Sequence, residues 1–278
     1  MLSLLLTAMK ILCLAEFTVG ILLNGFIVAA NAISWLEMKH IDSIDLILTS
    51  LGLSRLGLLI MWVIHVLSEV YEHMEILNLM YLFFDFCSLW FGTVLCVFYC
   101  VKITNYNHRF FFFVKLRISK MIPWLLFVSV TISIIFCLPS ILVERLEPNN
   151  VTDAANTVPF FIFCVAITLL IRSLWKHTRH MAGGETGFGI PQLQAHYNAI
   201  KCMMSFMLMY IVYFIGSMLM VLSNHFLLIL LSVIAGSYPS LHSAILILSN
   251  RKLRRTLCCF LSYRNTFISE KRNLFLCL

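Results

Sequence analysis

The chain has 278 residues, of which 61% are hydrophobic and 12% charged, and its formal net charge is +7. Soluble domains are about one quarter charged, so this chain carries roughly half the charge that a water-facing surface needs. Composition therefore excludes a soluble enzyme and a nucleic-acid-binding domain. The mean hydropathy of +0.93 indicates that most of the chain lies in lipid.

Seven stretches are long and apolar enough to cross a bilayer as helices, which takes about 20 residues each. Strands of a membrane barrel alternate polar and apolar residues, whereas runs such as 124–136 do not. We therefore predict an all-α integral membrane protein, a seven-helix bundle that forms one domain over residues 1–278. The predicted spans are 8–33, 44–67, 78–103, 121–143, 158–175, 197–222 and 226–248, followed by a tail at 249–278.

The basic residues predict which way the bundle faces. Every Lys and Arg except Lys10, Arg55 and Arg145 lies in the tail or in and beside the loops after spans one, three and five. Cytoplasmic loops carry the excess of Lys and Arg in membrane proteins. We therefore expect the amino terminus outside and the carboxyl terminus in the cytoplasm, and we attribute the net charge of +7 to the membrane rather than to a nucleic-acid partner.

Two modifications follow from that orientation. Asn150 begins an Asn-Val-Thr triplet in the second outer loop, which is an acceptor sequence for glycosylation. Cys258 and Cys259 follow the basic stretch at the inner end of the seventh span, where palmitoylation is one reading and an unmodified pair of thiols is the other.

Ionisable side chains interrupt the apolar spans at a few positions, which are Glu16, Arg55, Asp85 and His242. Arg55 lies near the middle of the second span, where insertion of an arginine costs about 2.5–3.5 kcal/mol. We expect it to face the bundle and to find acceptors among Asn24, Ser54, His242 and Ser243. Such a cluster either clasps the helices together or rearranges on activation, and the two roles are compatible.

No pattern of catalytic or metal-binding residues is found in the sequence. His177 and His180 have helical i, i+3 spacing, but a third ligand is lacking and the neighbouring Lys176 and Arg179 repel a metal ion. We therefore predict neither an enzyme nor a bound metal or cofactor. Transporters often show repeated halves and helices broken at mid-membrane; neither feature is evident, and a transporter is kept as the alternative function.

Short motifs occur in order on the predicted spans. They are residues 20–27 (Gly-Ile-Leu-Leu-Asn-Gly-Phe-Ile), 51–55 (Leu-Gly-Leu-Ser-Arg), 90–93 (Trp-Phe-Gly-Thr), 98–103, 170–177, 195–201, 238–248 and 250–253. Together they resemble the bitter taste receptors, the type 2 taste family of G-protein-coupled receptors, along essentially the whole chain.

The resemblance implies a multi-pass receptor of the plasma membrane that detects bitter small molecules and activates a gustducin-type heterotrimeric G protein. It implies ligand contacts on the extracellular side at Trp90, Val94, Tyr213, Ser232 and Ala235. An activation or structural network is implied at Asn24, Arg55, Tyr213, His242 and Ser243. Residues facing the G protein would be Lys102, Lys115, Arg117, Lys176 and His177. Whether such receptors form oligomers is left open.

Other readings of these residues are available on physical grounds. Trp90 has the indole of a pocket residue, but Trp is also common where a span meets the lipid interface. Tyr213 could be a packed tyrosine bonded to a neighbouring helix, and the inner basic residues could meet anionic lipid.

The sequence departs from the family at several positions. Val94 stands where many relatives carry Asn, one helical turn after the span-three Trp, so we expect the pocket to favour more apolar ligands. The outer loop at 144–157 is short for the family. A short loop gives either a more open pocket or a variant that does not signal, and the sequence alone leaves both alternatives standing.

Overall fold

A computed structural model of the chain describes residues 2–67, 74–103, 109–142 and 225–262, and shorter pieces at 161–162, 164–166, 168–169, 171–172, 201, 203–213 and 215–216. Within these residues everything is helical except the connection at 39–42 and Asn250. The predicted all-helical membrane class is confirmed for this part of the chain.

The helices are named here in chain order. They are α1 (Leu2–Met38), α2 (Ser43–Leu67), α3 (Met74–Ile103), α4 (Arg109–Leu142), α5 (Met203–Tyr213) and α6 (His225–Ser249), followed by a tail helix at 251–262. Four of them, α1 to α4, are long and apolar enough to cross a membrane. The count of seven spans and the direction in which the bundle faces stay predictions.

The helices extend beyond the stretches predicted from hydropathy where charged residues continue them. The second predicted span, 44–67, agrees with α2, but α4 begins at Arg109, well before the predicted start at residue 121. Hydropathy falls at the basic residues of 109–120, whereas Lys and Arg are good helix formers.

The tail helix was likewise expected only as part of a tail. Its first turn is capped by Asn250, whose Oδ1 accepts hydrogen bonds from the backbone N–H groups of Lys252 (2.9 Å) and Leu253 (3.3 Å).

The bundle is built around α2 and α3. Helix α2 packs between α1 and α3, α4 covers α3, and α6 lies against α1. The largest apolar cluster joins all of these helices and includes Ile27, Leu51, Phe91, Ile122 and Leu246. Leu253 of the tail helix is fully buried in the same cluster, so the tail helix is docked on the bundle.

Candidate functional site

Arg55 of α2 is fully buried and forms hydrogen bonds with three side chains of α6 and one side chain of α3. Its Nε donates a hydrogen bond to Ser88 Oγ on α3 (3.3 Å), and Nη1 donates to Ser243 Oγ on α6 (3.1 Å). Nη2 donates to the Tyr238 hydroxyl (3.2 Å) and to His242 Nδ1 (2.6 Å), both on α6. One guanidinium therefore joins α2, α3 and α6 where lipid offers no competing acceptor.

The contact with Arg55 fixes the form of His242. A guanidinium has donors and no acceptor, so His242 Nδ1 accepts and the ring proton resides on Nε2. The partners of Arg55 named above are thus neutral hydroxyls and a neutral imidazole.

Asn24 of α1 joins this network through Ser243. Ser243 Oγ accepts from Arg55 and lies 2.7 Å from both Asn24 Oδ1 and the Pro239 carbonyl, two acceptors for its single proton. The Asn24 amide nitrogen donates to the Gly20 carbonyl at 2.8 Å. Four helices therefore meet in one hydrogen-bonded cluster.

The structure brings together most of the residues that the sequence placed in the network. Asn24, Arg55, His242 and Ser243 lie in one cluster, whereas the Ser54 hydroxyl donates instead to the Leu51 carbonyl (2.9 Å). Ser88 and Tyr238 were not predicted as partners of Arg55, because hydropathy does not show how α3 and α6 are rotated toward it.

A second polar contact joins α3 to α5. The Tyr213 hydroxyl donates to Asp85 Oδ2 at 2.6 Å, and Asp85 is only 3% exposed. Tyr81 lies one helical turn before Asp85 on α3, and its ring meets that of Trp62 edge to face with centroids 6.0 Å apart. The sequence marked Asp85 as an ionisable residue in a span, but nothing in it paired Asp85 with Tyr213.

Aromatic rings connect the two polar contacts. The Tyr213 ring centroid is 5.9 Å from that of Tyr238, which is stacked on His242 with centroids 6.2 Å apart and an interplanar angle of 5°. The Arg55 guanidinium carbon lies 5.2 Å from the Tyr238 ring centroid. A contiguous path therefore runs from Asp85 through Tyr213 and Tyr238 to Arg55.

A small cavity lies beside this path, between α3, α5 and α6. Its volume is about 10 Å³, room for about one water molecule. The lining residues are Gly92, Leu95, Cys96, Tyr99, Met203, Phe206 and His242. Gly92 allows α3 and α5 to approach closely, because a Cβ on it would lie 2.5 Å from the Phe206 ring.

The predicted pocket residues of α3 lie on another side of that helix from Asp85. Trp90 is 9% exposed and Val94 is buried within the main apolar cluster. Burial of Trp90 inside the bundle argues against an indole at the lipid interface. Its Nε1 has no hydrogen-bond partner among the described residues. Five residues apart on a helix, Asp85 and Trp90 point about 140° from each other.

The other predicted ligand contacts are less completely described. Tyr213 is placed against Asp85 as given above, and positions 232 and 235 lie in α6. The Ser232 and Ala235 side chains lie outside the described residues.

Residues predicted to face the G protein or to be modified are described in part. Lys102 is exposed at the end of α3, and Arg117 is exposed on α4 with its guanidinium 4.3 Å from the Phe113 ring centroid, while Lys115 is half-buried. Cys258 and Cys259 are exposed free thiols on the tail helix. Lys176, His177 and Asn150 lie outside the described residues.

An ion pair holds the tail helix against the first turn of α2. Lys252 Nζ contacts the carboxylate of Asp45, a residue of the first turn of α2 that is 4% exposed. The Asn31 amide donates to the Asp45 carbonyl at 3.4 Å. The sequence did not predict this contact, which joins residues about two hundred positions apart.

Comparison with known proteins gives a consistent result over the length of the chain. The taste receptor protein (TAS2R) family model matches residues 1–265. Taste receptor type 2 member 7 of Papio hamadryas and of Macaca mulatta are each 34% identical to this chain, with 90% of this chain and 91% of the relative covered. Taste receptor type 2 member 9 of Homo sapiens is 33% identical, with 93% of this chain and 96% of the relative covered. The chain therefore belongs to the taste receptor type 2 family of G-protein-coupled receptors, the bitter taste receptors.

Proposed function

We propose that this chain is a seven-span receptor of the plasma membrane that binds bitter small molecules from the extracellular side and activates a gustducin-type heterotrimeric G protein. Family membership over residues 1–265 carries the proposal. The buried polar and aromatic junction supports it, since it links the contact between α3 and α5 to the Arg55 cluster that joins α1, α2, α3 and α6.

The ligand side of the proposal rests on Trp90 and Tyr213. Trp90 has a buried indole N–H without a described acceptor, whereas the Tyr213 hydroxyl donates to Asp85 at 2.6 Å and would exchange that bond for one to a ligand. An apolar ring with one donor suits a ligand that is largely apolar and has a polar edge. Val94, Ser232 and Ala235 are proposed to complete the pocket wall.

Signal transfer would follow from a shift between two arrangements of the bundle. A ligand shifts such an equilibrium only by binding one arrangement more tightly than the other. A ligand that alters the Tyr213–Asp85 bond would act on Tyr238, whose ring neighbours Tyr213 and whose hydroxyl accepts from Arg55. The hydrogen bonds of the Arg55 cluster, which join α1, α2, α3 and α6, would then rearrange.

The G protein would meet the inner ends of the helices. Lys102, Lys115, Arg117, Lys176 and His177 are proposed to face it; Lys102 lies in the last turn of α3, and Lys115 and Arg117 lie in the first part of α4. Anionic lipid is the competing partner for these cations. Neutralising Lys102 and Arg117 together separates the two: loss of coupling at unchanged membrane insertion supports the G protein.

Calcium imaging tests the whole proposal. Cells that express the receptor with a promiscuous G protein are screened with a panel of bitter compounds, and uptake of the same compounds is measured in parallel. We expect calcium responses that require the G protein and no accumulation of compound. Flux without a G-protein requirement would identify a transporter, and a silent receptor that binds ligand would identify a non-signalling variant.

The proposed topology has its own test. Epitope tags at the two termini are stained in intact and permeabilised cells, and the amino-terminal tag alone should be accessible in intact cells. An Asn150→Gln variant should migrate faster on a gel if the second outer loop is glycosylated. Two tags accessible from one side would contradict the seven-span count.

A further inference from the structure

The tail helix carries a hydroxyl at its surface that packing does not explain. Thr256 is exposed, and its Oγ1 donates to the Lys252 carbonyl of the same helix at 3.1 Å. Threonine is a weak helix former, because its branched side chain is restricted on a helix. Thr256 therefore belongs neither to the apolar core nor to the residues that favour this helix.

Basic residues precede this hydroxyl on the chain. Arg254 and Arg255 come directly before Thr256, and Arg251 and Lys252 lie about one turn earlier. The three arginines are all exposed. Protein kinases choose their substrates by such charge patterns, and a kinase with an acidic peptide cleft takes a hydroxyl that follows arginines.

The position of Thr256 relative to Lys252 is a second observation. Cytoplasmic segments of membrane proteins are basic in any case, so the arginines alone do not mark a site. Residues three and four apart are neighbours on a helix surface. The neighbours of Thr256 by this rule are Lys252, Leu253, Cys259 and Phe260. Lys252 is the cation among these four, and its Nζ forms the ion pair with Asp45 that holds the tail helix against α2.

We propose that Thr256 is a phosphorylation site for a protein kinase that recognises basic sequences, and that the phosphate weakens the ion pair between Lys252 and Asp45. The inference goes beyond the proposed receptor function and rests on one part of it, the cytoplasmic position of the tail. In the reaction the Thr256 Oγ1 attacks the γ-phosphorus of ATP, and the bond from this phosphorus to the leaving ADP breaks. The hydroxyl proton passes to the catalytic base of the kinase.

The charge of the product explains its effect on docking. A phosphothreonine carries about −1.5 to −2 charges and three strong acceptor oxygens. The Lys252 side chain is 33% exposed, so a phosphate one turn away on the surface can reach it, whereas the Asp45 side chain is only 5% exposed. The phosphate therefore competes for Lys252, and a buried carboxylate that loses its cation is destabilised.

The helix is built so that a kinase can open it. After Leu253, which is fully buried, the remaining residues are exposed except Leu257, which is partly buried against the main apolar cluster. A helix of about 12 residues is marginal in water without tertiary contacts. Local unwinding around Thr256 therefore costs little, and a kinase can bind the unwound segment.

Phosphorylation of the purified receptor tests the site. The full chain in lipid nanodiscs is incubated with Mg-ATP and the catalytic subunit of cyclic-AMP-dependent kinase or protein kinase C, and phosphopeptides are mapped by mass spectrometry. We expect phosphate on Thr256, and none there with a kinase that prefers acidic sequences. Absence of phosphate at Thr256 with both basophilic kinases, each active on a standard basic peptide, would overturn the inference.

Variants check what the kinase recognises. Thr256→Ser keeps the hydroxyl and should be phosphorylated, whereas Thr256→Ala should remove this phosphopeptide. Replacing Arg254 and Arg255 together by glutamine should lower the rate of phosphorylation at Thr256 by at least 10-fold, about the effect of one good charge-assisted contact. An unchanged rate in that double variant would contradict recognition through the basic sequence.

Backbone amide hydrogen exchange tests the effect on docking. Phosphorylation should speed exchange in the tail helix by roughly 2- to 5-fold, the factor for loss of a partly exposed ion pair. Lys252→Gln has already lost that pair, so its exchange should not respond to the phosphate. Arg251→Gln is the matched control, since it removes a neighbouring cation that contributes nothing to the pair, and it should respond like the unmodified receptor. Unchanged exchange on phosphorylation, or an equal response in Lys252→Gln, would refute the effect on the ion pair.

These measurements stand apart from the receptor function. A nanodisc exposes both faces of the receptor, so neither the orientation in the cell nor a G protein affects the result. Phosphopeptide mapping from intact cells then tests the cytoplasmic position of the tail. Phosphate on Thr256 in the nanodisc but never in cells that contain the active kinases would contradict a physiological site, while agonist responses in the same cells would leave the receptor function standing.

Discussion

Substitution of Gly92 by alanine tests the close approach of α3 and α5. A Cβ at position 92 would lie 2.5 Å from one Phe206 ring atom and 2.9 Å from another, distances that require the ring to move. Overpacking of this kind costs about 1–3 kcal/mol. Replacing a helical glycine by alanine returns about 1 kcal/mol through helix propensity. The two effects predict a net destabilisation of up to about 2 kcal/mol for Gly92→Ala.

Gly25→Ala is the matched control. Gly25 also lies within a helix, and a Cβ there meets no atom within 4 Å, so only the gain in helix propensity remains. We expect thermal unfolding in nanodiscs to show a higher unfolding temperature for Gly25→Ala and a lower one for Gly92→Ala. The sign of the difference does not depend on the absolute stability of the receptor.

A second substitution shows whether the Phe206 ring causes the loss. Phe206→Leu shortens the side chain that the new methyl group meets, so the double variant should be more stable than the two single effects predict. If the stability changes of the two single variants simply added in the double variant, the loss in Gly92→Ala would not arise from contact with the Phe206 ring. If Gly92→Ala were as stabilising as Gly25→Ala, the packing of α3 on α5 described above would be wrong.

Three further predictions concern the polar contacts. Arg55→Ala should impair folding or signalling, because it leaves several buried acceptors without their donor. Normal surface expression together with normal signalling would contradict a role of the Arg55 cluster in joining the helices. Lys252→Gln and Asp45→Asn should each lower the unfolding temperature. Because the two charges form a single ion pair, the double variant should unfold at nearly the same temperature as either single variant. Additive decreases in unfolding temperature would contradict the ion pair. Trp90→Phe removes an indole N–H that has no described partner, so expression should be unaffected while potency falls for ligands that accept a hydrogen bond; unchanged dose-response curves would remove Trp90 from the pocket.

Much of the network could be predicted because charge in a membrane leaves few choices. Arg55 in the middle of an apolar span had to face the bundle, and polar residues at similar depth in other spans were its natural partners. Asn24, His242 and Ser243 were found in this way. Ser88 and Tyr238 were missed because the rotation of a helix about its axis depends on packing, which hydropathy does not report.

The Asp85–Tyr213 contact could not be predicted from the sequence, for a related reason. The two residues are 128 positions apart, and each has an ordinary alternative as a packed or paired residue. The tail helix was predictable in principle, since Asn250 before an amphipathic stretch is a helix N-cap signal. Its docking through Lys252 on Asp45 was not, because it depends on where α6 ends relative to α2.

Nucleotide exchange on a purified gustducin-type G protein tests the central claim most directly. The receptor is reconstituted in nanodiscs, and exchange is followed with and without an agonist found by calcium imaging. We predict agonist-dependent acceleration that is lost when Arg55 is replaced. A correctly folded receptor that binds the agonist and leaves exchange unchanged would contradict the account.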